Sequence, residues 1–329
     1  MAKISILGSG GFGIALAVHS HRCGHDITVW SAFGEEIDAI KRDGEHKKLL
    51  PGIAVSEKIR LTTELSDITD SDMVIFAVPS KVLREVARKA APFISSEAVI
   101  VNVGKGIEDE TYKRLSEVLS EENPGKKLAI LSGPSHAEEV ALEMPTVVLA
   151  ASDNYETAEY VQKTLINENF RIYVSNDIVG CELGGALKNA IALCAGISDG
   201  LGYGDNAKAA LMTRGIAEIS RLGLAMGAKD STFMGLSGIG DLIVTCTSMH
   251  SRNRRAGILI GQGVTPDEAI RQVGTVEGYF CCKVAYKLAK KLGVEMPIID
   301  KLHGILFESA DIETAASDLM GRPMRRENR

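Results

Sequence analysis

The chain has 329 residues, of which 45% are apolar and 24% charged; that suits a globular protein of two domains of about 150 residues each and excludes a disordered chain. Its 43 acidic and 37 basic residues give a net charge of -6 with the basic residues dispersed, so no nucleic-acid partner is expected. The six cysteines form no Cys-x-x-Cys pair and no cluster with histidine, which argues against a metal site or a disulfide framework and fits a reduced cytoplasm.

Lys3 to Leu7 reads as a strand that runs into Gly8-Ser-Gly10-Gly11-Phe12-Gly13. It stops too early, and without a cleavage pattern, for a secretion signal. Ile14, Ala17 and Val18 then repeat at helical spacing, and Asp26 to Trp30 is a second strand. Strand, Gly-x-Gly-x-x-Gly turn, helix and strand make a dinucleotide-binding unit. Gly8 permits the tight turn, Gly10 lets the backbone approach a pyrophosphate, and Gly13 lets the helix pack on the strand; the helix N-terminus offers N–H groups to the anion. Residues 30 to 33, Trp-Ser-Ala-Phe, carry neither a carboxylate for a ribose 2'-hydroxyl nor an arginine for a 2'-phosphate, so both NADPH and NADH are expected to work. Arg42, Lys47 and Lys48 read more simply as solvated charges than as phosphate partners.

Further strands are expected near 59–62, 73–78 (ended by Pro79), 98–103, 128–131, 146–150 and 170–174, with helices at 83–90 and 157–165. These short Val- and Ile-rich runs suit a parallel sheet covered on both faces, whose ligands bind at the carboxyl ends of the strands. Two such ends are polar: Asn102-Val-Gly-Lys105-Gly106, and Ser132-Gly133-Pro-Ser135-His-Ala137-Glu138, where Ser135 and Glu138 fit a capping box.

From Asp177 onward the pattern is helical, with helices expected at 206–226, 252–261, 266–273, 281–292, 297–308 and 312–320, and a solvated tail over 322–329. The boundary is placed at 180/181, giving an α/β dinucleotide-binding domain over 1–180 and an all-α domain over 181–329. No apolar stretch is expected to reach the roughly 20 residues of a membrane helix. The first helix of the second half sets Lys188 among Cys181, Gly184, Gly185, Ala192 and Ala195 on one face, where a lysine is either a snorkelling side chain or a ligand-binding group. Ser251 reads as an N-cap that puts Arg252 and Asn253 in a first helical turn. Cations there oppose the helix dipole, which makes sense if a phosphate binds.

With these motifs in hand, the whole chain resembles the bacterial NAD(P)-dependent glycerol-3-phosphate dehydrogenases. The resemblance rests on Gly8-x-Gly10-x-Phe12-Gly13, Lys105-Gly106, Gly133-Pro-Ser135, Glu182-x-x-Gly-Ala-Leu-Lys188-Asn189, Gly238-x-Gly-Asp241, Ser251-Arg252-Asn253-Arg254 and Glu277-Gly278. It implies a Rossmann-type domain followed by a helical domain of the 6-phosphogluconate dehydrogenase type. The activity it implies is reduction of dihydroxyacetone phosphate to sn-glycerol 3-phosphate with NADPH or NADH and no metal, feeding phospholipid synthesis in the cytoplasm. A homodimer is compatible with it. It also implies cofactor contacts at Gly11, Phe12, Lys105, Ala137, Arg252, Thr275 and Glu277. Substrate contacts are implied at Lys105, Gly133, Ser135, Lys188, Asp241, Ser251, Arg252 and Asn253, with Lys188 moving the proton and Lys105 assisting. Two other readings stay open. A hydroxyacid or hydroxyacyl-thioester dehydrogenase calls for a His-Glu pair or a different anion clamp that the sequence does not show. A non-catalytic dinucleotide sensor needs the glycine loop but not Lys105, Lys188, Asp241 and Arg252 together.

Overall fold

A computed structural model describes every residue except Arg325, Asn328 and Arg329. The solvated tail expected over 322–329 falls partly on these three, which lie outside the described residues. The chain forms two compact units: Met1–Gly185 with Gly227–Asp241, and Ala186–Met226 with Leu242–Arg329.

In chain order the first unit contains β1 (Lys3–Leu7), α1 (Gly11–Arg22), β2 (Asp26–Trp30), α2 (Gly34–Asp43), an antiparallel hairpin of β3 (Glu45–His46) and β4 (Leu50–Ala54), and β5 (Arg60–Thr62). It continues with β6 (Met73–Phe76), α3 (Leu83–Ala90), β7 (Val99–Asn102), α4 (Leu115–Glu122), β8 (Lys127–Ser132), α5 (Ala137–Ala141), β9 (Thr146–Ala151), α6 (Tyr155–Leu165) and β10 (Phe170–Ser175). Eight strands make one sheet in the order β10-β9-β8-β7-β6-β1-β2-β5. Strand β1 lies between β2 and β6, so successive crossovers leave it in opposite directions and open a crevice at its carboxyl end, where the glycine loop begins.

Alternation along each strand builds two cores. Met73 and Ile75 join Ile4, Ile6, Val29 and Val101 under Ile14, Ala17 and Val18 of α1, whereas Val74 and Phe76 join Leu7 and Ile100 under Leu83 and Val86 of α3 and Leu115 and Val118 of α4. Each buried Ile, Leu or Phe contributes about 1.5–3 kcal/mol. The parallel expectation fails at one pair: β8 and β9 are antiparallel. Apolar runs report burial on both faces and carry no sign of strand direction.

Helix α7 (Ile178–Gly200) follows β10, and the division between the units falls inside it. The residues after α8 (Asp205–Ala225) return to the first unit as α9 (Asp230–Phe233) and a single π-helical turn, Leu236–Gly240. Asp177 fixes that return by accepting hydrogen bonds from Gly180 N (2.9 Å), Lys229 N (2.9 Å) and Thr232 Oγ1 (2.5 Å). An 18-residue window of the 23-residue α7 has a mean hydropathy of 1.4, so by length and composition alone this helix passes for a membrane span, which the sequence reading did not note. However, 89% of that window is buried in the protein, which is the property of a core helix.

The second unit adds α10 (Asp241–Thr247), α11 (Arg252–Gly261), α12 (Pro266–Val273), α13 (Glu277–Leu292), α14 (Pro297–Phe307) and α15 (Ile312–Met320). In α8, Ile216, Ile219 and Leu222 are buried at spacings of three, the core face of an amphipathic helix. Helices α7 and α11 pack backbone to backbone. Cβ atoms added at Gly196 and Gly200 would overlap the carbonyl oxygens of Arg254 and Ile258, and those added at Gly257 and Gly261 would overlap those of Leu193 and Ile197.

Candidate active site

Gly8 has φ +120°, which only glycine adopts without strain. A Cβ at Gly13 would overlap the Gly8 carbonyl oxygen, so α1 can start this close to β1 only with glycine there. At Gly10, the N-cap of α1, an added Cβ meets nothing within 4 Å and no side chain caps the helix. No acidic residue lies in the first turn. The loop thus fits a dinucleotide pyrophosphate: open space over unpaired N–H groups at the positive end of a helix. Gly11 lies beside Ala137, its added Cβ 3.8 Å from that of Ala137, and Phe12 packs against the core beneath.

The second feature of this unit is built on Lys105. Past the end of β7, Asn102 ties the loop by accepting from Gly104 N (3.0 Å) and donating to Gly104 O (3.1 Å). The Lys105 ammonium donates to Gly133 O (2.9 Å) and to Asp241 Oδ2 (2.7 Å), and Asp241 is buried. Ser135 Oγ donates to the same Gly133 carbonyl at 3.0 Å. That corrects the capping-box reading: α5 begins one residue later, His136 is its N-cap, and no side chain caps it. The stem of Lys105 lies against Gly185 of α7, whose added Cβ would stand 3.6 Å from Lys105 Cγ and 2.8 Å from Ser132 Oγ. Glu182, one turn earlier, accepts from Arg114 Nη1 and Ser116 N, both at 2.8 Å, and from the Ser116 hydroxyl.

In the second unit Lys188 is 4% exposed and its ammonium donates to Thr245 Oγ1 at 2.6 Å. Next to it, Asn189 Oδ1 accepts from Asn253 Nδ2 at 2.9 Å, and Asn253 Oδ1 accepts from Gly278 N at 2.8 Å. This chain links the starts of α11 and α13 to α7. Ser251 caps α11 as expected, accepting from Arg254 N at 3.2 Å. Arg252 is exposed in the first turn; Arg254 is instead held by Asp199 at 2.8 Å. Thr275 is exposed just before α13, whose first residue is Glu277 rather than the expected Cys281.

Of the residues singled out in the sequence, Gly8, Gly10, Gly11, Phe12, Gly13 and Ala137 lie around one loop and Lys105, Gly133, Ser135 and Asp241 around another; in the second unit Lys188 is bonded to Thr245, while Ser251 and Asn253 lie at the start of α11. The sequence reading missed Asn189 and Thr245 as partners, since both depend on contacts between distant helices. It also missed Glu36. The second-strand end was read as carrying no carboxylate, yet Glu36 Oε2 accepts from Ser31 Oγ at 2.9 Å and from the Ser9 hydroxyl, and His46 Nε2 donates to Oε1 at 3.0 Å. The available signal was the Glu35-Glu36 pair, acids in the first turn of the helix after β2. Arg42 and Lys47 pair with Asp43 at 2.9 and 3.3 Å.

All six cysteines are free, and burial pushes the Cys181 and Cys246 thiols up to about 12, so these two are packing groups rather than nucleophiles. Among the described residues no group of three or more His, Cys, Asp or Glu side chains is placed to hold a metal ion.

Residues 3–158 match the family model for the N-terminus of NAD-dependent glycerol-3-phosphate dehydrogenase, and residues 177–317 match the model for its C-terminus. The chain is 50% identical to the glycerol-3-phosphate dehydrogenase (NAD(P)+) of Fusobacterium nucleatum, over 99% of either chain. It is also 50% identical to that of Bacillus subtilis, over 98% of this chain and 95% of the other. Its fold superposes on the crystal structure of glycerol-3-phosphate dehydrogenase from Coxiella burnetii with a TM-score of 0.93 at 37% identity, covering 98% of this chain and 99% of that one. A glycine loop at the crevice of a doubly wound sheet, a helical second unit and family matches to both parts lead to one conclusion: the chain belongs to the NAD-dependent glycerol-3-phosphate dehydrogenase family.

Proposed function

We propose that this enzyme reduces dihydroxyacetone phosphate to sn-glycerol 3-phosphate, with Lys188 as the proton donor, Lys105 orienting the substrate, and the phosphate held at the start of α11 by Ser251, Arg252 and Asn253. Bound NADH or NADPH supplies the hydride. As the substrate carbonyl oxygen becomes an alkoxide it needs positive charge and then a proton, and a positioned ammonium provides both. In alcohol oxidation the same lysine accepts the proton.

The observation that carries this reading is Lys188 itself, an ammonium 4% exposed on α7, at helical spacing from Cys181, Gly184, Gly185, Ala192 and Ala195, where packing does not call for a charge. Its neighbours support it. Its hydrogen bond to Thr245 of α10 and the Asn189–Asn253 pair beside it tie this part of α7 to α10 and α11. On this reading Asn253 and Ser251 shape the phosphate site while Arg252 supplies charge, and Thr275 and Glu277 lie on the cofactor side. The enzyme acts in the cytoplasm, supplies glycerophospholipid synthesis, and has its domain boundary inside α7; a homodimer is compatible with this reading.

The test follows NADH or NADPH absorbance on addition of dihydroxyacetone phosphate. Lys188→Met is expected to keep fold and cofactor binding while losing on the order of 100-fold or more in the chemical step. With saturating alcohol, the rise of oxidation rate with pH should disappear in this variant. Turnover within a few-fold of wild type with the same pH profile would mean that the proton travels elsewhere. Folded protein that binds cofactor but consumes none would favour the sensor.

A further inference from the structure

Four segments meet at one carboxylate. Glu36 comes from the first turn of α2, Ser31 is the residue after β2, Ser9 stands between Gly8 and Gly10 of the glycine loop, and His46 comes from the β3–β4 hairpin and is buried. Oε2 accepts from both serine hydroxyls, 2.9 Å from that of Ser31, and Oε1 accepts from His46 Nε2 at 3.0 Å. Burial raises the Glu36 carboxyl, but the hydrogen bonds from Ser9, Ser31 and His46 outweigh it and hold its pKa below the ordinary carboxylate value. A negative charge is therefore fixed between the glycine turn and the end of β2. In a dinucleotide-binding sheet these two elements flank the adenosine ribose, and an acid at the end of the second strand ordinarily reads its 2' position. Here positions 31 to 33 carry no acid, and the charge arrives from the next element instead.

We propose that Glu36 is the specificity-determining residue for the cofactor's 2' position, favouring the 2'-hydroxyl of NADH over the 2'-phosphate of NADPH. The assignment rests on the dinucleotide reading of the glycine loop. A hydroxyl donates to a carboxylate oxygen, whereas a phosphate ester brings about 1.5 to 2 negative charges against it. Two of the basic residues that follow in the chain, Arg42 and Lys47, are both paired with Asp43. The same carboxylate also staples loop, strand end and hairpin together, and the discrimination between the two cofactors separates that structural role from recognition.

The experiment measures dissociation constants, by fluorescence titration for NADH and NADPH and by calorimetry for 5'-ADP and 2',5'-ADP, in the wild type, Glu36→Gln and Ser31→Ala. The wild type is expected to bind NADH at least about tenfold more tightly than NADPH, the scale of one close like-charge contact near a protein surface. Glu36→Gln keeps an acceptor for the two serines and should narrow the ratio by about tenfold, mainly through tighter NADPH binding. Ser31→Ala keeps the charge and should keep the ratio. Tighter wild-type binding of NADPH than of NADH would overturn the proposal. So would a ratio in folded Glu36→Gln that stays within about twofold of wild type, a difference too small for a charge contact. Should Glu36→Gln not fold, the wild type decides alone: 2',5'-ADP bound as tightly as 5'-ADP sinks the assignment, and weaker 2',5'-ADP supports it. Failure of the wild type to bind any of the four nucleotides is a different pattern; it removes the dinucleotide reading and takes the Glu36 assignment with it.

Discussion

The start of α1 and the start of α11 both offer a helix N-terminus to an anion, yet they are built in opposite ways. The α1 start is made of backbone: Gly8 turns, Gly10 leaves open space, Gly13 permits contact, and no side chain caps the helix. The α11 start is made of side chains: Ser251 caps it, Asn253 is hydrogen-bonded to Asn189 and Gly278 N, and Arg252 stands exposed beside them. A backbone site depends on what is absent from a few adjacent positions, and a side-chain site depends on partners far along the chain. The first should fail abruptly when a Cβ is added at Gly8 or Gly13; the second should weaken in steps as single groups are removed.

The largest effect is expected from Gly13→Val. Its side chain would collide with the Gly8 carbonyl and push α1 off β1, and a displacement near 1 Å at such a site costs on the order of 100-fold. NADH titration should show that loss with little change in far-ultraviolet circular dichroism; retained affinity would end the backbone account of the α1 site.

A third helix start in the protein sharpens the contrast by closing on a carboxyl group of its own chain. Glu218 of α8 accepts from Ile298 N at 2.9 Å and Ile299 N at 3.4 Å at the beginning of α14, and burial pushes its carboxyl up to about 7 against those hydrogen bonds. The folded protein then binds this proton more tightly than the unfolded chain, whose carboxyl titrates near 4.5, so stability falls as pH rises from about 4.5 through about 7. The loss is on the order of 3 kcal/mol. Glu218→Gln should remove that decline, read as melting temperature against pH, and an unaltered slope would show that the group does not titrate there.

Arg252→Ala tests the charge at α11. Losing a charge-assisted hydrogen bond costs about 1.5–3 kcal/mol, and kcat/KM should drop more for dihydroxyacetone phosphate than for dihydroxyacetone. Equal proportional drops would place Arg252 on the cofactor alone. The smallest effect is expected from Ser251→Ala, which removes the cap and one proposed phosphate contact; it should lower stability by about 1 kcal/mol in chemical denaturation while leaving NADH affinity unchanged.

The same contrast explains what the sequence made legible. Strand β2 and helices α11, α12 and α15 were placed to the residue because burial periodicity and caps such as Ser251 are local signals. Helix α2 was read only through its solvated charges, and the β3–β4 hairpin escaped notice: α2 buries only Ile37 and Ile40, and β3 is two residues long. With them went Glu36 and His46, whose meeting with Ser9 depends on a fold-back that no local pattern records. Lys105 and Lys188 stood out as cations among glycines and alanines. Their anchors, Asp241 and Thr245, lie 136 and 57 positions away in the chain and became assignable only in three dimensions.

The four glycines between α7 and α11 carry a genetic consequence. Every single-base change in a glycine codon that alters the residue adds a side chain, and at Gly196, Gly200, Gly257 and Gly261 any side chain meets a backbone carbonyl that no rotamer change can clear. Helix α7 carries Lys188 and Asn189, and α11 carries Arg252 and Asn253, so parting the helices shifts both sets together. These positions are closed to one-step variation although none of them is a candidate site residue. A selection on random mutants should leave a stripe of untouched codons four apart on each helix, tracing this contact line without a structure.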